Sequence, residues 1–248
     1  MHWIFLSPHL DDAALSCGGL IAERVASGDS VEIWTICAGD PPARPLSPFA
    51  SELHRRWGTG REAIAVRRAE DFAACQVLKA TPRHFSIPDC IYRCDPATGE
   101  PLIHFPEDLF RKLPESQVSL VEELSSQLTD RLTNGYKVVA PMTLGNHIDH
   151  QLVRRAAERL NFPLWFYADY PYAAQEPLAS LSVLPFTGSV FNQPISPASL
   201  RTWQSAVAEF KSQISSFWES VNEMEKAIQV YWTGGGGCNL WGNSAENA

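Results

Sequence analysis

Short apolar runs and stretches of helical periodicity alternate along most of this chain. Residues 3–7 and 31–37 are apolar runs rich in β-branched and aromatic side chains, the mark of buried strands. Between them Leu15, Leu20, Ile21 and Val25 recur on one side of a segment that Gly28 ends. The spacing predicts a helix over 13–27, and the three pieces together predict a strand–helix–strand unit of a parallel sheet. The same alternation continues with a helix over 61–79, a strand over 83–87, a helix over 116–133 closed by Asn134-Gly135, a strand over 136–140, a helix over 147–160 and a strand over 164–167. Further on, 197–217 and 219–230 read as helices, Gly234 to Gly237 as a flexible run, and the polar end as frayed. Two stretches, 38–60 and 94–114, read as irregular, and loops of that length in a domain are usually functional or disordered. The expected fold is α/β: a Rossmann-like three-layer sandwich with a mostly parallel sheet. One domain is expected over 1–248, with a core at 3–165, a helical part at 166–235 and a polar tail at 236–248.

Composition narrows the possible functions. The chain has 248 residues, of which 45% are hydrophobic, and a net charge of −8. A nucleic-acid binder needs a clustered basic surface. The basic residues gather once, at Arg55, Arg56, Arg61, Arg67 and Arg68, where a solvated helix face and a binding role both fit. No apolar stretch approaches the roughly 18 residues of a membrane span. The start runs straight into Trp3-Ile4-Phe5-Leu6 with no basic leader pattern, so a cytoplasmic protein is expected. The six cysteines, at 17, 37, 75, 90, 94 and 238, contain no CxxC pair and are expected to be reduced and mostly buried.

Two motifs carry chemistry. Ser7-Pro8-His9-Leu10-Asp11-Asp12 follows the first predicted strand, and His147-Ile148-Asp149-His150 follows the strand over 136–140 after a short loop. Ligands of open parallel sheets bind beyond the carboxyl ends of the strands, so the two motifs can meet at one point. Taken singly, Asp11 or Asp12 would make an ordinary helix N-cap, and Asp149 an ordinary acidic first turn. Taken together they hold what a mononuclear zinc hydrolase needs: three N/O ligands and spare proton-transfer groups. His9, Asp12 and His150 are candidate ligands, with Asp11 and His147 left over. Adjacent carboxylates diverge, so one of Asp11 and Asp12 takes the metal and the other stays near the bound water as a general base. Asp149 would orient an imidazole. Asp40, Arg44 and Arg56, in the irregular stretch, are expected to shape a substrate pocket, and His54 and His104 are weaker candidates there.

On these residues the chain resembles the PIG-L/LmbE-like family of zinc-dependent N-acetylglucosaminyl deacetylases. The family motif (P/A)HPDDE followed by Gly-Gly stands here as Pro8-His9-Leu10-Asp11-Asp12-Ala13 with Gly18-Gly19, and HxDH as His147-Ile148-Asp149-His150. Arg67-Arg68-Ala69-Glu70 is similar to a family RxxE helix, Pro88-Asp89 to the Pro-Asp after it, and Lys211-Ser212-Gln213 loosely to a further segment. Leu10 and Ala13 depart from the pattern at positions that supply no ligand. The resemblance implies a Rossmann-like fold, one Zn²⁺ on His9, Asp12 and His150, Asp11 as base, His147 as oxyanion stabiliser or acid, and Arg67 as a substrate contact. It also implies an N-acylated small-molecule substrate, an amino sugar above all, and a possible homo-oligomer. Iron or cobalt would also suit such a site. Two other readings stand beside it: a zinc amidase for a non-sugar amide or thiol conjugate, and a non-catalytic metal-binding protein of the same fold. Nucleotide binding is disfavoured, because the first turn lacks GxGxxG and Asp11-Asp12 would repel a pyrophosphate.

Overall fold

Strands whose two faces are both covered need apolar side chains in both directions, and the run Trp3-Ile4-Phe5-Leu6 supplies them as an interior strand of a sheet that has seven strands among the described residues. The computed structural model describes residues 1–60, 62–175 and 190–242. Its elements are β1 (His2–Ser7), α1 (Asp12–Ala26), β2 (Ser30–Thr35), α2 (Pro48–Arg56), α3 (Ala63–Leu78), β3 (Thr81–His84), α4 (Val118–Thr129), β4 (Tyr136–Pro141), α5 (Ile148–Ala157), β5 (Leu164–Tyr167), α6 (Tyr172–Gln175), β6 (Val190–Asn192), α7 (Pro197–Val207), α8 (Lys211–Phe217), α9 (Val221–Thr233) and β7 (Asn239–Gly242). The sheet order is β3-β2-β1-β4-β5-β7-β6, parallel from β3 to β5 and antiparallel at β7 and β6.

Alternate residues of each strand serve different layers, as period two requires. Ile4, Leu6, Trp34, Val138 and Phe166 pack with Leu124 and Leu128 of α4 and with Leu152 and Val153 of α5. Trp3, Phe5, Ile33, Val139 and Trp165 pack with Leu20 and Ile21 of α1 and with Cys75 and Leu78 of α3. Gly18 lets α7 approach α1: a Cβ there would lie 2.5 Å from the Trp203 ring. A helical glycine is usually costly, but here the vacated space holds an indole. All six cysteines are free, and no helix among the described residues is long and apolar enough to cross a membrane.

Several expectations need correction. The irregular stretch 38–60 contains α2. Its prolines suggest a breaker, but Pro48 occupies the first helical position, where a missing N–H costs nothing, and Ser47 Oγ accepts the Ala50 N–H at 3.1 Å. The helix expected over 61–79 is seen as Ala63–Leu78, and Arg61 lies outside the described residues. The strand expected over 83–87 ends at His84, and the chain beyond it makes only isolated bridges, Cys37 to Ser86 and Gly39 to Pro88. The helix expected over 197–217 is two helices, α7 and α8. Glu70 separates them by accepting the Ser212 N–H at 2.8 Å and the Ser212 hydroxyl at 2.6 Å, which starts α8 afresh. The part expected to be helical contains β6, and the tail expected to fray contains β7, whose Leu240 and Trp241 are buried between β5 and β6. Gly234 to Gly237 is a bonded turn: Gly236 N–H donates to Tyr231 O at 2.9 Å and Cys238 Sγ to Gly235 O at 2.9 Å. Residues 243–248 lie outside the described residues.

Candidate metal centre

The sheet order changes direction between β1 and β4, since the chain runs outward from β1 through β2 to β3 and then returns to β1's other side. Loops at such a point diverge and leave a crevice. The first motif leaves β1 on one side of it, and the second follows β4 on the other. In the first motif Ser7 Oγ donates to His9 O at 2.7 Å and accepts the Ala13 N–H at 3.0 Å. His9 N–H donates to Asp12 Oδ2 at 2.7 Å. These bonds fold residues 7–13 into a tight turn that aims His9 and Asp12 together. Asp11 stands at the N-cap position of α1 but makes no side-chain cap bond, so the simple capping role does not describe it. In the second motif His147 is the N-cap of α5, its Nδ1 accepting the Asp149 N–H at 3.2 Å.

The motifs meet. His9 Nδ1 lies 3.0 Å from Asp12 Oδ2, and His150 Nε2 lies 3.3 Å from the same oxygen. The far nitrogen of each ring has its own carboxylate. His9 Nε2 is 3.0 Å from Asp149 Oδ2, and His150 Nδ1 is 2.6 Å from Asp169 Oδ1. His147 stands edge-on to His9 with ring centroids 4.9 Å apart, and nitrogen atoms of His9, His147 and His150 lie within 4.8 Å of one another. Asp11 faces Arg67, with Oδ2 3.5 Å from Nη2, and the Arg67 guanidinium lies over the Trp57 ring at 4.9 Å. Asp40 is elsewhere. It is paired with Arg68 at 2.7 Å, its side chain is 71% exposed, and it lines a cavity of about 610 Å³ with Pro41 to Leu46 and His54. His54 is buried there between Gly60 O and the Tyr92 hydroxyl.

The charges fit a cation site. Burial alone would depress His150, yet Asp12 and Asp169 carry it up to about 10. Burial likewise opposes a charged His9, but Asp89 and Asp12 hold it well above the usual imidazole range. The same pairs, led by His150, hold Asp12 well below the usual carboxylate range against its burial. Asp149 is also held low against its burial, by Arg93 and then His9. Asp11, in contrast, is raised to about 6 by burial, with Arg67 opposing. His147 is lowered to about 3 by burial and by its charged neighbours His9 and His150.

Two residues outside both motifs support the cluster, one pairing with His150 and the other with Asp149. Asp169 follows β5 at the same edge of the sheet; it is fully buried and also accepts the Leu144 N–H at 3.0 Å. Its place just beyond a predicted strand was the available signal. Arg93 is buried with Nη2 2.6 Å from Asp149 Oδ1, so a guanidinium backs the carboxylate that backs His9. No local pattern marks it.

Residues 4–161 match the PIG-L family model, GlcNAc-PI de-N-acetylase. The chain is 29% identical over 194 residues to the 2'-N-acetylparomamine deacetylase of Niallia circulans, covering 70% of this chain and 68% of that protein. It is 31% identical over 179 residues to the Streptomyces fradiae protein of the same name, covering 69% of this chain and 58% of that one. Among solved structures, the zinc-inhibited form of teicoplanin deacetylase Orf2 superposes with a TM-score of 0.82 at 29% identity, over 98% of this chain and 97% of that one.

Proposed function

We propose that this chain, which belongs to the PIG-L family, is a zinc-dependent hydrolase that removes an N-acetyl group from an amino sugar. The observation that carries the reading is the convergence of His9 Nδ1 and His150 Nε2 on one oxygen of Asp12, at 3.0 and 3.3 Å. Two imidazole nitrogens and a carboxylate oxygen are a donor set that suits zinc and leaves a fourth position for water or substrate. His9, Asp12 and His150 would hold one ion. The partner carboxylates Asp149 and Asp169 fix which nitrogen of each ring faces it. When bound, zinc supplies Lewis-acid polarisation of a carbonyl and brings the pKa of a water to about 7.

The protein's own groups supply the proton transfers. His147 Nδ1 is occupied by the Asp149 N–H. The neutral ring therefore carries its proton on Nε2 and donates a hydrogen bond to the oxygen that becomes negative. Burial, the largest cause of its lowered pKa, keeps the ring neutral, which supports that role better than proton donation from an imidazolium. Asp11 takes the proton of the attacking water and returns it to the amine nitrogen as the C–N bond breaks, leaving acetate and a free amine. Arg67, beside Asp11, holds this carboxylate in place and limits the rise of its pKa. Asp40 and the pocket beside it would meet the parts of the substrate distant from the amide.

The test is acetate release from N-acetylated amino sugars, with 2'-N-acetylparomamine and N-acetylglucosamine as first substrates. Activity that a chelator removes and stoichiometric zinc restores is expected. One tightly held zinc per chain with no acetate from any N-acetyl amino sugar would overturn the reading.

A further inference from the structure

We infer that Phe110 and Tyr172 form an aromatic wall on which the sugar ring of the substrate packs through its C–H face, an inference that rests on the deacetylase reading above. Phe110 is 41% exposed. Single exposed apolar residues are ordinary. Phe110 is set apart by how firmly it is held and by what it touches. Its carbonyl accepts a hydrogen bond from Asn146 Nδ2 at 2.7 Å, and the next carbonyl, of Arg111, accepts one from Gln151 Nε2 at 2.8 Å. Gln151 Oε1 in turn accepts the Leu113 N–H at 2.9 Å. Residues 110–113 are thus tied to the turn that carries His147 and His150.

The Phe110 ring lies 5.9 Å from the His147 ring and nearly perpendicular to it. Tyr172 completes the wall, 6.2 Å from Phe110 and 6.4 Å from His150. Tyr172 is seated against Gly145, where any Cβ would overlap its ring and where φ is +77°. Glycine is thus required at 145 on two counts, space and backbone. Both rings are held by the loop that brings the second motif to the metal centre.

The chemistry of the wall selects its occupant. A phenyl ring offers neither a hydrogen-bond donor nor an acceptor, so it recognises apolar surface. The reacting amide must lie against His147, and the group on the amide nitrogen follows it outward. The Phe110 ring is the edge-on neighbour of the His147 ring, and an amide with its first attached carbon spans about 3.8 Å, so a substituent leaving His147 on that side meets Phe110 with the ring atoms beyond that carbon. A pyranose presents rows of weakly positive C–H groups that suit the negative face of an aromatic ring. An acetyl methyl covers only a fraction of that face, whereas a sugar ring covers it.

The experiment compares wild type, Phe110→Ala and Phe110→Tyr on three substrates: N-acetylglucosamine, N-butanoylglucosamine and acyclic N-acetylethanolamine. The proposal expects Phe110→Ala to lower the preference in kcat/KM for N-acetylglucosamine over N-acetylethanolamine about tenfold, the size of one aromatic contact. The change should appear in KM more than in kcat, and Phe110→Tyr should restore it. Equal losses on the cyclic and acyclic substrates, or a loss that grows from N-acetyl to N-butanoyl, would overturn it by placing the acyl group on the wall. If wild type cleaves none of the three and releases no acetate from 2'-N-acetylparomamine or any other N-acetyl amino sugar, the deacetylase reading falls by itself. Calorimetric binding of N-acetylglucosamine then decides the wall: it stands if wild type binds and Phe110→Ala binds about tenfold more weakly, and falls otherwise.

Discussion

His9 and Asp40 both lie beyond parallel strands at one edge of the sheet, in loops that follow β1 and β2. Around His9, both ring nitrogens and the carboxylates behind them have partners, and Asp149 and Asp169 are fully buried. Around Asp40 the loop is built of prolines, lines an open cavity, and holds its acid in one largely exposed ion pair with Arg68. Buried, mutually satisfied charges tolerate no independent change, because a group left without its partner bears the full desolvation cost. Solvated groups can change one at a time at little cost. The first region is suited to a fixed reaction and the second to adjustable recognition.

The contrast predicts a graded series of effects. The largest belongs to the proposed ligands. Asp12→Ala and His150→Ala should each lose the metal, read by mass spectrometry, and lower acetate release by about 10³-fold or more, since several kcal/mol of carbonyl polarisation go with it. A variant that keeps both metal and activity would break the proposed ligand set. Next, Asp11→Asn should retain one metal per chain but lose about 10² to 10⁴ in kcat, because the amide cannot take the proton. Retention of most activity there would move the base elsewhere. Asp169→Asn, one layer further out, should weaken metal affinity by about 10–100-fold in a chelator competition, with the fold intact by circular dichroism. An unchanged affinity would mean that His150 needs no orienting partner. Smallest of all, Asp40→Ala should alter KM for a small N-acetyl sugar by about fivefold at most and leave kcat unchanged, in line with an exposed pair worth about 0–1 kcal/mol. A large fall in kcat there would erase the distinction between the two regions.

The fold and the site were legible to different depths. The parallel half of the sheet reads directly, because its strands are buried on both faces and stand out as apolar runs between helices of regular period. The antiparallel edge does not. β6 and β7 are three and four residues long, too short to establish a period, and β7 is preceded by glycines. α2 hides behind prolines, and the break between α7 and α8 depends on Glu70, more than 140 positions away from Ser212.

In the site, His9, Asp11, Asp12, His147, Asp149 and His150 lie in two compact motifs at strand ends, where local sequence and topology point to the same place. Those local patterns also account for the tight turn at His9 and the cap at His147, because each is made of bonds spanning only a few residues. Asp169, Arg93, Phe110 and Tyr172 join the site only through contacts between elements distant in sequence. What the sequence by itself determined is the parallel α/β layering and the chemical content of the two motifs. The tertiary structure alone decided which carboxylate backs which imidazole, that Arg67 serves Asp11 while Arg68 serves Asp40, and which aromatic rings border the reacting groups. Each of those choices depends on distances of a few ångströms between residues that the chain order leaves far apart, and no local periodicity encodes them.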